Sequence, residues 1–180
     1  MRISFNGKLG NARINMQIDI GFGDIVSPAP LWVEYPVLLE GERPKLLAYK
    51  FESAIAEKFE AMVILDMTNS RMKDFFDIWY LSGSKTFSGR SLASAVNNTF
   101  RRRKTELPKR KPVAFTKAFY DDKNKITQWK SFQQKIDVQN RPEELEKVVE
   151  DISKYLWPVT ESLNHGKEFS KNWNPETGWR

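Results

Sequence analysis

The hydrophobic period of this chain changes once, and that change limits the folds open to it. In ARINMQIDI, residues 12–20, Ile14, Met16, Ile18 and Ile20 alternate with Asn15, Gln17 and Asp19. A period of two separates an apolar from a polar face and marks a β-strand. Gly10-Asn11 supplies turn chemistry between this run and the preceding one, so residues 1–20 read as a β-hairpin with Asp19 pointing away from the core. The segment Gly21-Phe22-Gly23-Asp24 ends the strand. Prolines at 28, 30, 36 and 44 make residues 25–45 an extended connector. Beyond it the apolar residues follow helical spacing. The expected class is α+β, an N-terminal hairpin followed by a mainly helical bundle, divided as 1–45, 46–157 and a polar tail, 158–180.

Composition removes whole classes of chemistry. The 180 residues contain no cysteine, which excludes disulfides, thiolate zinc sites and cysteine nucleophiles and fits a reducing cytoplasm. A single histidine, His165, argues against a Ser-His-Asp triad or a multi-histidine metal site. Catalysis would therefore rest on carboxylates, lysine and arginine. No run is long and apolar enough to span a membrane. The net charge of +6 suits an anionic partner. It is concentrated in RRRKTELPKRK, where Arg101, Arg102, Arg103, Lys104, Lys109, Arg110 and Lys111 face only Glu106. That run is either a solvated helix end or a contact for nucleic acid or nucleotide.

The helical part holds the other charges that ask for an explanation. A helix is expected over about residues 51–67, with Phe51, Ile55, Phe59 and Met62 within roughly an 80° arc that Lys58 joins. An ammonium group there must snorkel to water or meet an anion. Asn69 or Ser70 is the expected cap of the next helix, about residues 70–82, where RMKDFFDIWYL is apolar nearly all round. Asp74 and Asp77 share one of its faces. Either Lys73 pairs with Asp77 at i,i+4 and Arg71 serves locally, or the acids serve a site. Further helical stripes run through Leu92–Phe100 and Ile126–Ile136. The last helix is expected to start at Pro142 and stop before Pro158, leaving a tail that is loosely docked or disordered.

Taken together, QIDIGFGD (17–24), YPVLLE (35–40), IAEKFEAM (55–62) and NSRMKDFFDIW (69–79) resemble the AbiEii/AbiGii toxin family of nucleotidyltransferases. The similarity continues through TFRRRKTELP and QWKSF, over most of residues 1–135. It implies that the hairpin belongs to a polymerase-β-like nucleotidyltransferase core. Asp19 matches the family's third carboxylate, a metal-binding position. Lys58 matches the lysine that meets nucleotide phosphates, and Asp74 and Asp77 match the acidic helix motif, with Arg71 and Lys73 in the same run. Lys50 stands where the family favours proline. The implied cofactor is Mg²⁺ with an NTP substrate, and the implied partners are an RNA acceptor such as tRNA and a cognate antitoxin.

Nothing in residues 1–18 matches the family's Gly-Ser and Asp-x-Asp motif. The expectation is a chain inactive by itself: truncated, started too late, or completed by a separate chain. The competing expectations are a non-catalytic module that binds nucleic acid or antitoxin through residues 101–111, and an inactive remnant.

Overall fold

The structure, a computed structural model, describes residues 1–22, 29–38, 40–136, 138 and 142–180. Two strands, β1 (Arg2–Leu9) and β2 (Ala12–Asp19), form the expected antiparallel hairpin, turning at Gly10 with φ of 57°. Its register pairs Ile3 with Ile18, Phe5 with Met16 and Gly7 with Ile14, so one face is apolar. Arg2, Ser4 and Asn6 oppose Asp19, Gln17 and Asn15 on the polar face. The alternation is as expected, but the apolar face is not a core: Ile14, Met16 and Ile18 are 40–50% exposed. Period two fixes which side chains share a face, whereas burial needs a second layer, and among the described residues none covers this face. Gly23, Asp24 and Pro28 lie outside the described residues.

A second hairpin follows, β3 (Leu31–Glu34) paired with β4 (Lys45–Ala48). Its first strand falls inside the expected connector, and its second begins at the connector's end and runs past it. Pro36 and Pro44 flank its turn and are kept out of the ladder, where a missing N–H would cost a hydrogen bond. Trp32 and Leu47 oppose each other and are exposed.

The helical part carries the core. Helix α1 (Phe51–Leu65) leads through a 3₁₀ turn to α2 (Met72–Ser84). A short strand, β5 (Phe87–Ser88), runs into α3 (Gly89–Arg103), capped by the Ser88 hydroxyl. The short α4 (Lys117–Tyr120) precedes α5 (Lys123–Gln133), where the Asp122 carboxylate caps the amides of Asn124 and Lys125. The long α6 (Leu145–Asn164) packs against α2 and α3. Ile55, Phe59, Phe75, Leu92, Val96, Phe119, Ile152 and Leu156 are fully buried. Phe59 and Phe115 stack, as do Phe75 and Phe119. Phe51, expected on the apolar arc, is 48% exposed beneath the Lys85 ammonium.

The chain's last part departs most from expectation. Helix α6 begins at Leu145, with Pro142 outside it, and runs on through Pro158 to Asn164. An interior proline costs about 3 kcal/mol. Val159 and Thr160, both fully buried, lie just beyond it, so the packing they complete offsets that cost. The tail is docked, not loose. Strands β6 (Asn172–Asn174) and β7 (Gly178–Trp179) join β5 in a three-stranded sheet of order β5-β6-β7. Tyr155 of α6 is the anchor: Trp179 stacks on it and Trp173 meets it edge-on, with centroids 5.5 and 4.9 Å away. Gly89 permits this docking, since a Cβ there would lie 2.4 Å from the Lys171 carbonyl.

Candidate functional site

The best-defined cluster of charges lies where α1 meets α2. Helix α1 ends at Asp66, whose positive φ breaks the helix. The Asn69 side-chain oxygen then accepts from the Arg71 amide and sets the chain into α2. Asn69 thus acts in a turn two residues ahead rather than as the expected cap, and Arg71 holds the cap position. This reversal lays the second turn of α1 beside the first turns of α2. The Lys58 Nζ reaches Asp74 Oδ1 at 2.5 Å and Asp77 Oδ2 at 2.8 Å. All three side chains are 17–23% exposed. Lys73 closes on Asp77 from outside at 2.7 Å, the expected i,i+4 pair, and is 73% exposed.

The electrostatics follow from this packing. Burial is the largest single influence on the Lys58 ammonium and pushes its pKa down, but hydrogen bonds and charge from Asp74 and Asp77 together outweigh it. The net direction is upward, so Lys58 stays charged. It neither snorkels to water nor sits alone on an apolar stripe, because α2 brings the acids to it. Substitution of Lys58 by an apolar residue would strand two half-buried carboxylates.

Asp19 stands apart from this cluster. Arg2 Nε and Nη2 contact its two oxygens at 2.7 and 3.3 Å, and Gln17 donates at 2.8 Å. The Arg2 bond first, then that from Gln17, lowers its pKa, so it is an ionised carboxylate on the polar face. Among the described residues it shares no hydrogen bond or ion pair with Lys58, Asp74 or Asp77. Arg71 is exposed beside the N-terminus of α2.

The basic run divides. Arg103 pairs with the buried Glu60 at 2.7 Å, Thr105 donates to the same carboxylate, and Arg102 reaches Glu57 at 3.4 Å. These two arginines fasten the end of α3 to α1. Arg101, Lys104, Lys109, Arg110 and Lys111 remain exposed, with Lys104 left-handed at the helix end.

Mg²⁺ takes oxygen ligands and is commonly held by one or two carboxylates with waters and substrate phosphates. The Asp74 and Asp77 oxygens converge, but on the Lys58 ammonium, and the Asp19 oxygens face Arg2 and Gln17. Among the described residues no three acidic or histidine side chains form a metal-holding group. This donor set does not by itself make a Mg²⁺ site.

Sequence reasoning missed two features. Lys125 of α5 is buried and donates to the Asn69 carbonyl at 2.8 Å, bracing the approach to α2. A cavity of about 400 Å³ lies between α2, α6 and the C-terminal strands. Its signal was present in the tryptophans of a tail that otherwise looked polar. Among the described residues no helix is long and apolar enough to cross a membrane.

No curated protein and no solved structure matches this chain. Residues 1–151 match the family described as Nucleotidyl transferase AbiEii toxin, Type IV TA system. The match spans both hairpins, the Lys58 cluster and the first turns of α6, and it agrees with the resemblance carried by the four runs. By that match, the chain belongs to the AbiEii nucleotidyl transferase toxin family of type IV toxin-antitoxin systems.

Proposed function

We propose that this chain is part of a nucleotidyltransferase toxin that moves a nucleotide from NTP to an RNA acceptor such as tRNA, the chain alone being inactive and its Lys58 cluster handling the triphosphate. The observation that supports this reading is the half-buried ammonium held by two carboxylates. An ammonium has three N–H donors. Asp74 and Asp77 take two, leaving one for a phosphate oxygen. Arg71 and Lys73 stand at the start of α2, where the helix dipole favours anions. Lys58 and Lys73 face the two carboxylates, and the exposed Arg71 adds a third cation at the same end of α2. The acids fix the position of Lys58 before the nucleotide arrives, which lowers the cost of ordering it.

In this reading Asp19 contributes an ionised carboxylate from the polar face of the hairpin. Mg²⁺ would travel with the NTP phosphates and offset the charge that builds during transfer. A cognate antitoxin is the partner that the family implies, and a separate chain supplying the Gly-Ser and Asp-x-Asp motif would complete the catalytic set. The alternative, a non-catalytic module binding nucleic acid or antitoxin, draws on the exposed part of the basic run.

The test is NTP binding by calorimetry in the presence of Mg²⁺, comparing the natural chain with Lys58→Met, Asp74→Asn and Asp77→Asn, alongside transfer of radiolabel to bulk tRNA, which the chain alone should not perform. NTP binding by the natural chain that falls about tenfold or more in Lys58→Met supports the reading. Labelling that survives all three would place the chemistry elsewhere. A natural chain that labels nothing and binds no NTP by calorimetry would favour the non-catalytic module.

A further inference from the structure

The cavity between α2, α6 and the C-terminal strands lies on another side of α2 from the acids. Trp79, which lines it, is about 200° around the helix from Asp77. Trp173 and Trp179 form further walls, and Lys147 and Lys154 stand at its edge with Asp151 between them. Each indole N–H is already committed: Trp79 to Asp151 at 3.3 Å, Trp173 to the Ser82 carbonyl at 2.7 Å, and Trp179 to the Tyr155 carbonyl at 2.9 Å. These bonds fix the rings and leave aromatic surface, not hydrogen-bond donors, as what the tryptophans offer. Lys154, Trp173 and Trp179 lie beyond the residues matched by the family.

A second groove of about 470 Å³ adjoins the first through Lys154, which lines both. Trp157 and Tyr120 provide its aromatic surface, and Lys111 and Lys117 its further cations. Lys111 is the last residue of the basic run, which thereby meets the groove. Aromatic surfaces alternating with cations along a channel suit single-stranded nucleic acid, whose bases stack while the backbone follows the charges.

The charges argue against a cationic guest in the tryptophan cavity. Asp151 already accepts from Lys147 at 2.9 Å and lies 3.5 Å from Lys154, so two ammonium groups share one carboxylate. Both lysines are more than 60% exposed, and such surface pairs exchange readily for phosphate. Lys117 is likewise exposed and paired with Asp121.

We infer that the tryptophan cavity and the groove beside it form a docking track for a single RNA strand, a base entering the cavity while its phosphates pass Lys147 and Lys154. This deepens the RNA-acceptor reading and rests on it for the identity of the strand. The chemistry recognised, a planar base beside a phosphate, is also that of a free nucleotide. Length separates the two sources: a strand engages both grooves and a mononucleotide only one.

The test uses the full chain without NTP or Mg²⁺. Binding of a fluorescent single strand of about twelve nucleotides is followed by anisotropy across a salt series, and binding of AMP and GMP by tryptophan quenching. The strand should bind at least tenfold more tightly than either mononucleotide and than a duplex of the same length. Lys147→Gln with Lys154→Gln, both at exposed positions, should weaken it about tenfold or more and flatten the salt slope by about 1.4, at about 0.7 per lost phosphate contact. Trp157→Leu should weaken it at least about fivefold. Unchanged affinity in the double lysine variant, or a mononucleotide or duplex that binds as tightly as the strand, overturns the inference. Lys58→Met should bind the strand as the natural chain does. Strand binding by a natural chain that binds no NTP would refute the triphosphate role of the Lys58 cluster and leave the track standing.

Discussion

The hairpin of residues 1–20 and the helical part from residue 51 onward were equally legible as patterns, yet only one of them makes a core. Ile14, Met16 and Ile18 line up with Ile3 and Phe5 on one face of the hairpin, all of them at least 40% exposed. Ile55, Phe59 and Met62 line up on α1 and are fully buried. The difference lies in what faces the stripe. Helix α1 is met by α2 and α3, whereas among the described residues the apolar hairpin face has no second layer, and two strands alone bury too little to offset the entropy of ordering them. A correct periodicity is thus a statement about faces; stability comes from the partner layer.

The largest effect expected from this contrast is on the core. Phe75→Ala should cost about 3–5 kcal/mol of unfolding free energy, since Phe75 is fully buried against Phe119. Phe5→Ala, the same deletion on an exposed hairpin face, should cost less than about 1 kcal/mol. Denaturant midpoints of the two variants measure the contrast. Equal losses would mean that the hairpin face is covered in solution and would break the comparison.

A middle-sized effect is expected at Lys58, where helical packing has gathered charges. Lys58→Met should destabilise by about 1–3 kcal/mol, because Asp74 and Asp77 lose the cation they share. The pH dependence has a definite sign. Lys58 has a raised pKa, so its contribution is fully present below the unfolded value near 10.5 and is lost as pH rises through the higher folded value. Thermal melts between pH 9 and roughly pH 12 should therefore fall more steeply for the natural chain than for Lys58→Met. Parallel curves would show that the acids do not depend on this ammonium.

The smallest effect is expected on the polar face of the hairpin. Asp19→Ala should leave the melting temperature near neutral pH almost unchanged, as its partners Arg2 and Gln17 are exposed. Its depressed pKa gives whatever contribution it makes above the unfolded value near 3.8, to be lost as pH falls through the lower folded value. Differential scanning calorimetry of the variant at neutral and acid pH checks both points. A pronounced drop at neutral pH would give Asp19 a structural role that its exposure does not suggest.

By itself the sequence determined the α+β class, the hairpin and its turn, the register of faces, and the helices carrying Lys58, Asp74 and Asp77, because these depend on local period and turn chemistry. It also contained the i,i+4 pair of Lys73 and Asp77, a contact within one helix turn. Only the tertiary structure decided that Lys58 of α1 meets the acids of α2, that Arg103 is spent on Glu60, and that Asp19 keeps to Arg2 and Gln17. It likewise carried α6 through Pro158 and folded the polar-looking tail onto Tyr155. Each of these results joins residues distant in sequence, or sets a local preference of a few kcal/mol against the burial of side chains from several elements. Such outcomes depend on which surfaces come together, a quantity no local period contains.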